Sequence, residues 1–390
     1  MRVIEPKRSQ GASNDLVRDI NRRLVLNLIR TRQPISRAHL ARLCGLQRST
    51  ISLIVEQLID ESWVINGPVG RLPRGRRPTF FRLNDDRVIV GVDIRPVQTT
   101  VALADANGKF TSREVIATPS DPKTAVDALL RSIQHVTKSC RGKKLEGIGV
   151  CLPGRFNQGS DRLVFSPNLK WRDFDLRTPL MKATGVAVEL ENAANACVLA
   201  TVWFEHLEGC RNLVVVTVSE GIGTGILLNG QLVRGSNGMA GEFGHMPLDS
   251  TGSLCGCGAR GCWEVYASNT AALRYYHESG ATADGMSFPD LLGRADHGDI
   301  RAARALDAMA VYLGRGMRMI VAGLAPERIV VIGDLTRSWD RFGPVIEAAI
   351  RDQVPPGGSI PYLDAAGEGC MARLRGTVAL ILQKGCGVSF

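Results

Sequence analysis

The chain has 390 residues, 44% hydrophobic and 22% charged, long enough for two or three domains with filled cores. No run of eighteen apolar residues occurs, which excludes a membrane-spanning helix and predicts a soluble protein with no membrane partner. The net charge of +10 lies at one end: residues 1–83 hold 16 Lys/Arg against 6 Asp/Glu, and the remaining 307 hold 32 against 32. A basic module on a neutral body fits nucleic-acid binding better than a solubilising tail, which would lack hydrophobic periodicity.

Residues 1 to about 15 are polar and read as a short arm. From Asp19, Ile20, Leu24, Leu26, Leu28 and Ile29 predict an amphipathic helix that ends before Pro34. Ser36 caps a short helix holding Ala38, Leu40, Ala41 and Leu43, and Gly45 supplies a turn. A third helix starts near Gln47 with Ile51, Ile54, Val55, Leu58 and Ile59 buried. Short helix, glycine turn and longer helix make a helix-turn-helix. Gln47, Arg48, Ser49, Thr50 and Ser52 remain on the outer face, where side chains reach base edges or phosphates in a major groove. Two strands around the tip 70–78 form a wing that brings Arg71, Arg74, Arg76 or Arg77 to a minor groove or to phosphate. A flexible linker has the same composition, and a wing at this place must lead into the next domain in any case.

The body opens with strands at 88–94, from Thr99, and at 115–118, the last two joined by the hairpin signal Asn107-Gly108. A helix over 122–140 and a buried strand over 147–152 complete the ββαβ opening of an actin-like, hexokinase-like α/β fold. A strand over 212–218 repeats the hairpin in a second lobe. The glycines Gly221, Gly223 and Gly225 that follow fit either a phosphate cradle or tight β-turns.

His245 and then Cys255-Gly-Cys257-Gly-Ala-Arg-Gly-Cys262-Trp-Glu264 bring three thiols and an imidazole together, with glycines at the bends. Cys3His is a standard closed tetrahedral zinc set, and a structural Zn2+ is predicted here. Cys255 and Cys257 stand too close to pair comfortably, so a disulfide would leave an odd thiol. The opening Met1-Arg-Val-Ile-Glu-Pro-Lys-Arg has no apolar stretch of the secretory kind, so reduced thiols and a cytoplasmic setting are expected. Glu242 and Glu264 flank the ligands, so the metal would stiffen a wall carrying two carboxylates. Cys151 and Cys197 sit in apolar runs and read as core thiols. His297, beside Asp296 and Asp299, reads as solvated surface, and Met309, Met317 and Met319 as lobe core or dimer contact.

Val218-Ser-Glu-Gly-Ile-Gly-Thr-Gly-Ile, Arg234-Gly-Ser-Asn-Gly-Met-Ala-Gly-Glu-Phe-Gly-His245 and the cysteine cluster together resemble the signature of the ROK family (repressors, open reading frames, sugar kinases). The resemblance covers roughly residues 88–390, and the winged helix before it is similar to the repressor branch. It implies two α/β lobes with a sugar between them. The sugar-contacting role falls on Glu242, His245 and Glu264 on one side, with Asn192 and Gly154 on the other. Asn168, in a loop ending at Trp171, resembles a sugar-side loop of the family, and shape around Pro153, Asn168 and Trp171 would select the sugar. The domains implied are 1–83 for the winged helix-turn-helix, 84–195 for the first lobe with 371–390 returning to it, and 196–370 for the second lobe with the zinc site.

Two positions depart from the family's kinases. A kinase of this family carries a carboxylate just after the Asn of a Glu-Asn-Asp-type segment, where this chain reads Glu191-Asn192-Ala193-Ala194-Asn195. Alanine accepts no proton, so general-base assistance, worth roughly 10²–10⁴-fold, is missing. The kinases follow the first-strand Asp with Gly-Gly-Thr, whereas Asp93 precedes Ile94-Arg95-Pro96-Val97, and proline offers no N–H to a phosphate. The expectation is a sugar-responsive regulator, a repressor, without ATP and without catalytic residues. It would bind a double-stranded DNA operator as a homodimer or homotetramer. An ATP-dependent sugar kinase fused to a DNA-binding module is the alternative.

Overall fold

The computed structural model describes residues 14–69, 78–140, 142–157, 162–166, 168–205, 210–281, 285–352, 358–367 and 369–385. The chain opens with α1 (Asn14–Arg32), β1 (Ile35–Ser36), α2 (Arg37–Cys44), α3 (Arg48–Asp60), β2 (Val64–Val69) and β3 (Thr79–Leu83). Ser36 caps α2 by accepting from the His39 N–H, and Gly45 ends it at φ 68°, a left-handed value that glycine takes without strain. The strands pair in the order β1-β3-β2, the sheet of a winged helix. Helix α1 starts at Asn14, not Asp19, and buries Val25, Leu26 and Ile29 while Leu24 faces outward. Of the predicted stripe, Leu26 and Ile29 are buried and Leu28 packs against the same core, while Val25 takes the inward place expected of Leu24.

The first lobe contains β4 (Arg87–Ile94), β5 (Gln98–Asp105), β6 (Phe110–Ala117), α4 (Pro122–Thr137), β7 (Lys144–Leu152), β8 (Arg155–Phe156), β9 (Leu163–Ser166), β10 (Trp171–Phe174), α5 (Arg177–Thr184) and β11 (Ala187–Asn192). Its main sheet runs β11-β7-β4-β5-β6, with β8–β10 as a separate small sheet. Strand β4 is buried throughout, as a central strand covered on both faces must be.

Helix α6 (Ala193–Phe204) leads into the second lobe: β12 (Leu213–Val218), β13 (Ile222–Leu228), β14 (Gln231–Leu232), α7 (Trp263–Ala267), α8 (Asn269–Glu278), α9 (Phe288–Asp296), α10 (Ile300–Leu324), β15 (Arg328–Gly333), α11 (Trp339–Arg351) and β16 (Tyr362–Ala365). The sheet runs β14-β13-β12-β15-β16. Strand alternation divides its faces: Val214, Val216 and Val218 join α10 and α11 in one core, while Leu213 and Val215 turn toward α6. Met309 and Met317 are fully buried in this lobe.

The last helix, α12 (Gly369–Gly385), crosses back and packs on β4 and β7 of the first lobe. Helix α6 does the reverse, following the first lobe's last strand and packing on β12 and β13 of the second. The two helices lie against each other between the sheets, with Gly376 on the Ala196 carbonyl. The winged helix sits on their far ends. The Arg30 guanidinium lies 4.7 Å over the Trp203 ring of α6. Trp63 is held between Arg87, at 4.0 Å, and Gly385, where a Cβ would meet its ring at 2.6 Å. One apolar core runs unbroken from Val25 and Leu58 through Trp203 to Val378 and Leu382.

Candidate functional site

Gly241, at φ 88°, lets the chain turn against β13, where the Thr224 hydroxyl donates to its carbonyl. The 3-10 turn Glu242–His245 follows, and bridges between Pro247 and Cys262 and between Leu254 and Arg260 fold the cysteine loop back over it. Glycines at 258 and 261 carry positive φ at the two bends. The result gathers one ligand atom each from His245, Cys255, Cys257 and Cys262 within 4.8 Å of one another. Cys257 Sγ and Cys262 Sγ are 3.7 Å apart, and Cys255 Sγ is 3.6 Å from His245 Nδ1. A tetrahedral ion with metal–sulfur distances of about 2.3 Å and metal–nitrogen of about 2.05 Å has edges of roughly 3.8 and 3.5 Å, so these donors can hold a metal.

With Nδ1 turned to the sulfurs, His245 Nε2 faces Glu242 Oε2 at 3.7 Å. Glu264 Oε1 lies 3.0 Å from Cys255 Sγ and 3.4 Å from His245 Nδ1. Burial pushes the Glu242 carboxyl up, opposed by the neighbouring His245 ring and Arg155 guanidinium. Burial likewise pushes up the Cys255 and Cys262 thiols.

Glu242, His245 and Glu264 form one wall of a cavity of about 350 Å³ between the lobes. Gly154, Asn168 and Asn192 line the other side, so the six residues predicted for sugar contact share one space. Asn192 is partly committed: Oδ1 accepts from the Ala194 N–H as the cap of α6, and Nδ2 donates to the Gly154 carbonyl. One amide hydrogen and one lone pair are left for a ligand. Trp171 does not line the cavity; it is buried in the first-lobe core that includes Leu163 and Leu180, with Nε1 donating to the Ser120 carbonyl.

Ala193 lines the cavity, and Glu191 and Asp93, the carboxylates of the first lobe described near it, are engaged elsewhere. Glu191 Oε2 accepts both Nε and Nη2 of Arg234 at 3.0 and 2.8 Å, joining the first lobe to the second. Its Oε1 takes the Asn192 N–H and Asn195 Nδ2. Asp93 is almost fully buried and held by Arg95 Nε at 2.9 Å. The glycine run is explained by packing: a Cβ on Gly221 would lie 2.5 Å from Glu264 Oε2, and one on Gly225 2.5 Å from the Ala194 carbonyl oxygen. Arg373 of α12 also lines the cavity, and nothing in the sequence around it had marked it.

At the other end of the molecule, Gln47, Arg48 and Ser49 are exposed at the start of α3, and Thr50 and Ser52 are half-buried. Ile51, Ile54, Val55 and Leu58 face inward. Arg71, Arg74, Arg76 and Arg77 lie outside the described residues. Among the described residues no helix is long and apolar enough to cross a membrane.

The ROK family model matches residues 89–384. The xylose repressor of Bacillus subtilis (strain 168) is 33% identical over 347 residues, 88% of each chain. Among solved structures, a ROK family transcriptional regulator described as a homolog of E. coli MLC protein superposes with a TM-score of 0.80 at 25% identity, covering 95% of this chain and 98% of its own. A ROK family glucokinase from Streptomyces griseus, in complex with glucose and AMPPNP, gives 0.70 at 27% identity and covers 75% of this chain and 98% of its own. The regulators therefore match through the winged helix, and the kinase leaves a quarter of the chain unmatched.

Proposed function

The chain belongs to the ROK family, and on that premise we propose that it is a sugar-responsive transcriptional repressor that holds a sugar between its lobes without phosphorylating it. The observation that carries this reading is Ala193 in the cavity wall, with Glu191 committed to Arg234 and Asp93 to Arg95. Among the described residues no carboxylate on that side is free to take a proton from a sugar hydroxyl. The carboxylates of Glu242 and Glu264 accept from sugar hydroxyls, His245 Nε2 completes the same wall, and Asn192, Asn168 and Gly154 face them across the cleft. Zinc fits the four-donor set, and when bound it would tie the cysteine loop to His245 and fix the wall's shape. Cysteines kept as metal ligands in this way fit a reducing, cytoplasmic setting.

DNA recognition falls to Gln47, Arg48, Ser49, Thr50 and Ser52 on α3, with the wing arginines on phosphate or in the minor groove. A homodimer or homotetramer would set two such helices about one turn, roughly 34 Å, apart on a near-palindromic operator. The response runs through α6 and α12. Each begins at the cavity, with Ala193 and Arg373, and ends under the winged helix, with Trp203 and Gly385. A sugar that draws the lobes together turns one helix against the other and moves the surface on which the winged helix rests. Driving DNA occupancy from mostly bound to mostly released requires a difference in sugar affinity between the two arrangements of about 5.5 kcal/mol.

Two measurements test the reading. Titration of xylose, glucose and N-acetylglucosamine into a complex with operator DNA, followed by fluorescence anisotropy, is expected to change DNA affinity for one of them. A coupled assay with ATP and the same sugars is expected to yield no sugar phosphate, and measurable product would overturn the proposal in favour of a kinase.

A further inference from the structure

Helix α3 turns Ile51, Ile54, Val55 and Leu58 into the core of the winged helix. At about 100° per residue the line opposite that face runs through Ser49, Leu53, Glu56 and Asp60, and all four are exposed. Three of them are polar or charged. Leu53 is the exception, an apolar side chain 52% open to solvent in the middle of the ridge. Arg48 lies to one side, lining a shallow groove with Ala38 and Arg42 of α2, and Glu56 pairs with Arg37 of α2 at 3.8 Å. Leu53 therefore stands where a partner laid on the outer face of α3 would meet it.

Charge decides which part of that face a polyanion accepts. Residues 48–55 carry Arg48, Ser49 and Ser52 and no acidic residue, and they include the positive end of the helix dipole. Glu56 and Asp60 lie in the second half and repel phosphate. A duplex that takes the N-terminal half reaches Leu53 at the boundary, about 6 Å along the axis from Ser49. Base pairs are spaced by about 3.4 Å, so the two side chains fall on different ones. A leucine side chain donates and accepts nothing. Against a cytosine amino group or a guanine carbonyl it would strip water from a polar edge and return no hydrogen bond. The 5-methyl group of thymine is the apolar feature that the major groove offers it.

We propose that Leu53 sets a base preference in the operator by packing on a thymine methyl group, a specificity role beside the polar contacts of Arg48, Ser49 and Ser52. The role rests on the reading in which α3 enters a major groove of DNA. Duplexes selected from a random pool by the full chain, each thymine then replaced in turn by deoxyuracil, test it by fluorescence anisotropy, because uracil lacks only the methyl group. At least one thymine is expected to lose about three- to fivefold in affinity as uracil, the effect of one buried methyl group. The same position should lose roughly 5- to 150-fold as a C·G pair. Leu53→Ala should bind the thymine and uracil duplexes alike there and keep its preferences elsewhere; an exposed site and alanine's helix propensity keep this variant folded. Leu24→Ala, which trims an exposed leucine of α1, should retain the full methyl dependence. Uracil tolerated at every position, or a methyl dependence that persists in Leu53→Ala, overturns the inference alone. So does a Leu53→Ala protein that loses affinity equally for every duplex and has a smaller mass by light scattering, since Leu53 then joins two copies of the chain. A full chain that selects no sequence overturns the DNA-binding reading together with it.

Discussion

Gly225→Ala tests whether α6 is positioned by contact with β13. The added Cβ would stand 2.5 Å from the Ala194 carbonyl oxygen and 2.6 Å from Val198 Cγ2. An ordinary carbon–oxygen contact begins at about 3.3 Å, so α6 must retreat by roughly 0.8 Å along its first turns. The obstacle is backbone and a β-branched side chain, neither of which swings away, so the cost is that of overpacking, about 1–3 kcal/mol. For a folding unit of 150–250 residues each kcal/mol lowers the melting temperature by about 2–4 °C. The displaced turn carries Ala193 and Ala194 of the cavity wall, so ligand affinity should fall in the same variant. Gly293→Ala is the control: it lies in α9 with nothing within 4 Å of the new methyl and should be neutral or slightly stabilising. Circular-dichroism melts with ligand titration read both effects. A Gly225→Ala protein as stable as the Gly293→Ala control, with ligand affinity intact, would refute the close-packing account.

The purified protein should carry one zinc per chain, and Cys257→Ala or a strong chelator should lower both metal content by elemental analysis and ligand affinity; a metal-free protein with full affinity counts against the braced wall. Arg234→Ala strands Glu191 at the lobe junction and should cost about 1.5–3 kcal/mol in urea denaturation. Arg48→Ala should weaken operator binding by about 1–3 kcal/mol if it reads a base, or lower the salt slope by about one if it contacts phosphate, measured by anisotropy across ionic strengths. Burial pushes the Cys197 thiol up to about 12 and the Cys151 thiol well up, so at pH 8 both should escape alkylation in the native protein while half-buried Cys44 reacts, as mass spectrometry would read.

The elements that a sequence makes legible here are those with a strong local cause. Ser36 and Gly45 bracket α2 because capping needs only a side-chain oxygen and a left-handed φ. The cysteine cluster gathers as its spacing implied, since glycines at its bends take the positive φ that the turns require. What stayed hidden depends on partners distant in the chain. Spacing marked Leu26 and Ile29 of α1, but that Val25 and not Leu24 turns inward is set by α2, α3 and β3 packed against the helix. Trp171 looked like a cavity residue from its neighbour Asn168, yet the two point to different sides of their turn. The pairing of Glu191 with Arg234 spans 43 positions, and Arg373 reaches Ser219 across 154, so no local pattern announces either. The glycines of 221–225 were visible as a motif, but only the approach of Glu264 and α6 explains why a methyl group is refused there.

The crossing of α6 and α12 also governs the order in which the molecule can be completed. Strands β4 and β7 are made early, but the helix that covers them is α12, and Trp63 closes against Gly385, at its end. During synthesis the first lobe must therefore wait, with apolar surface uncovered, until residues beyond 369 have left the ribosome. A chain cut short before that helix would keep all of α3 yet lack the seat beneath the winged helix, so truncated products are expected to be cleared by proteases before they act as unregulated DNA binders.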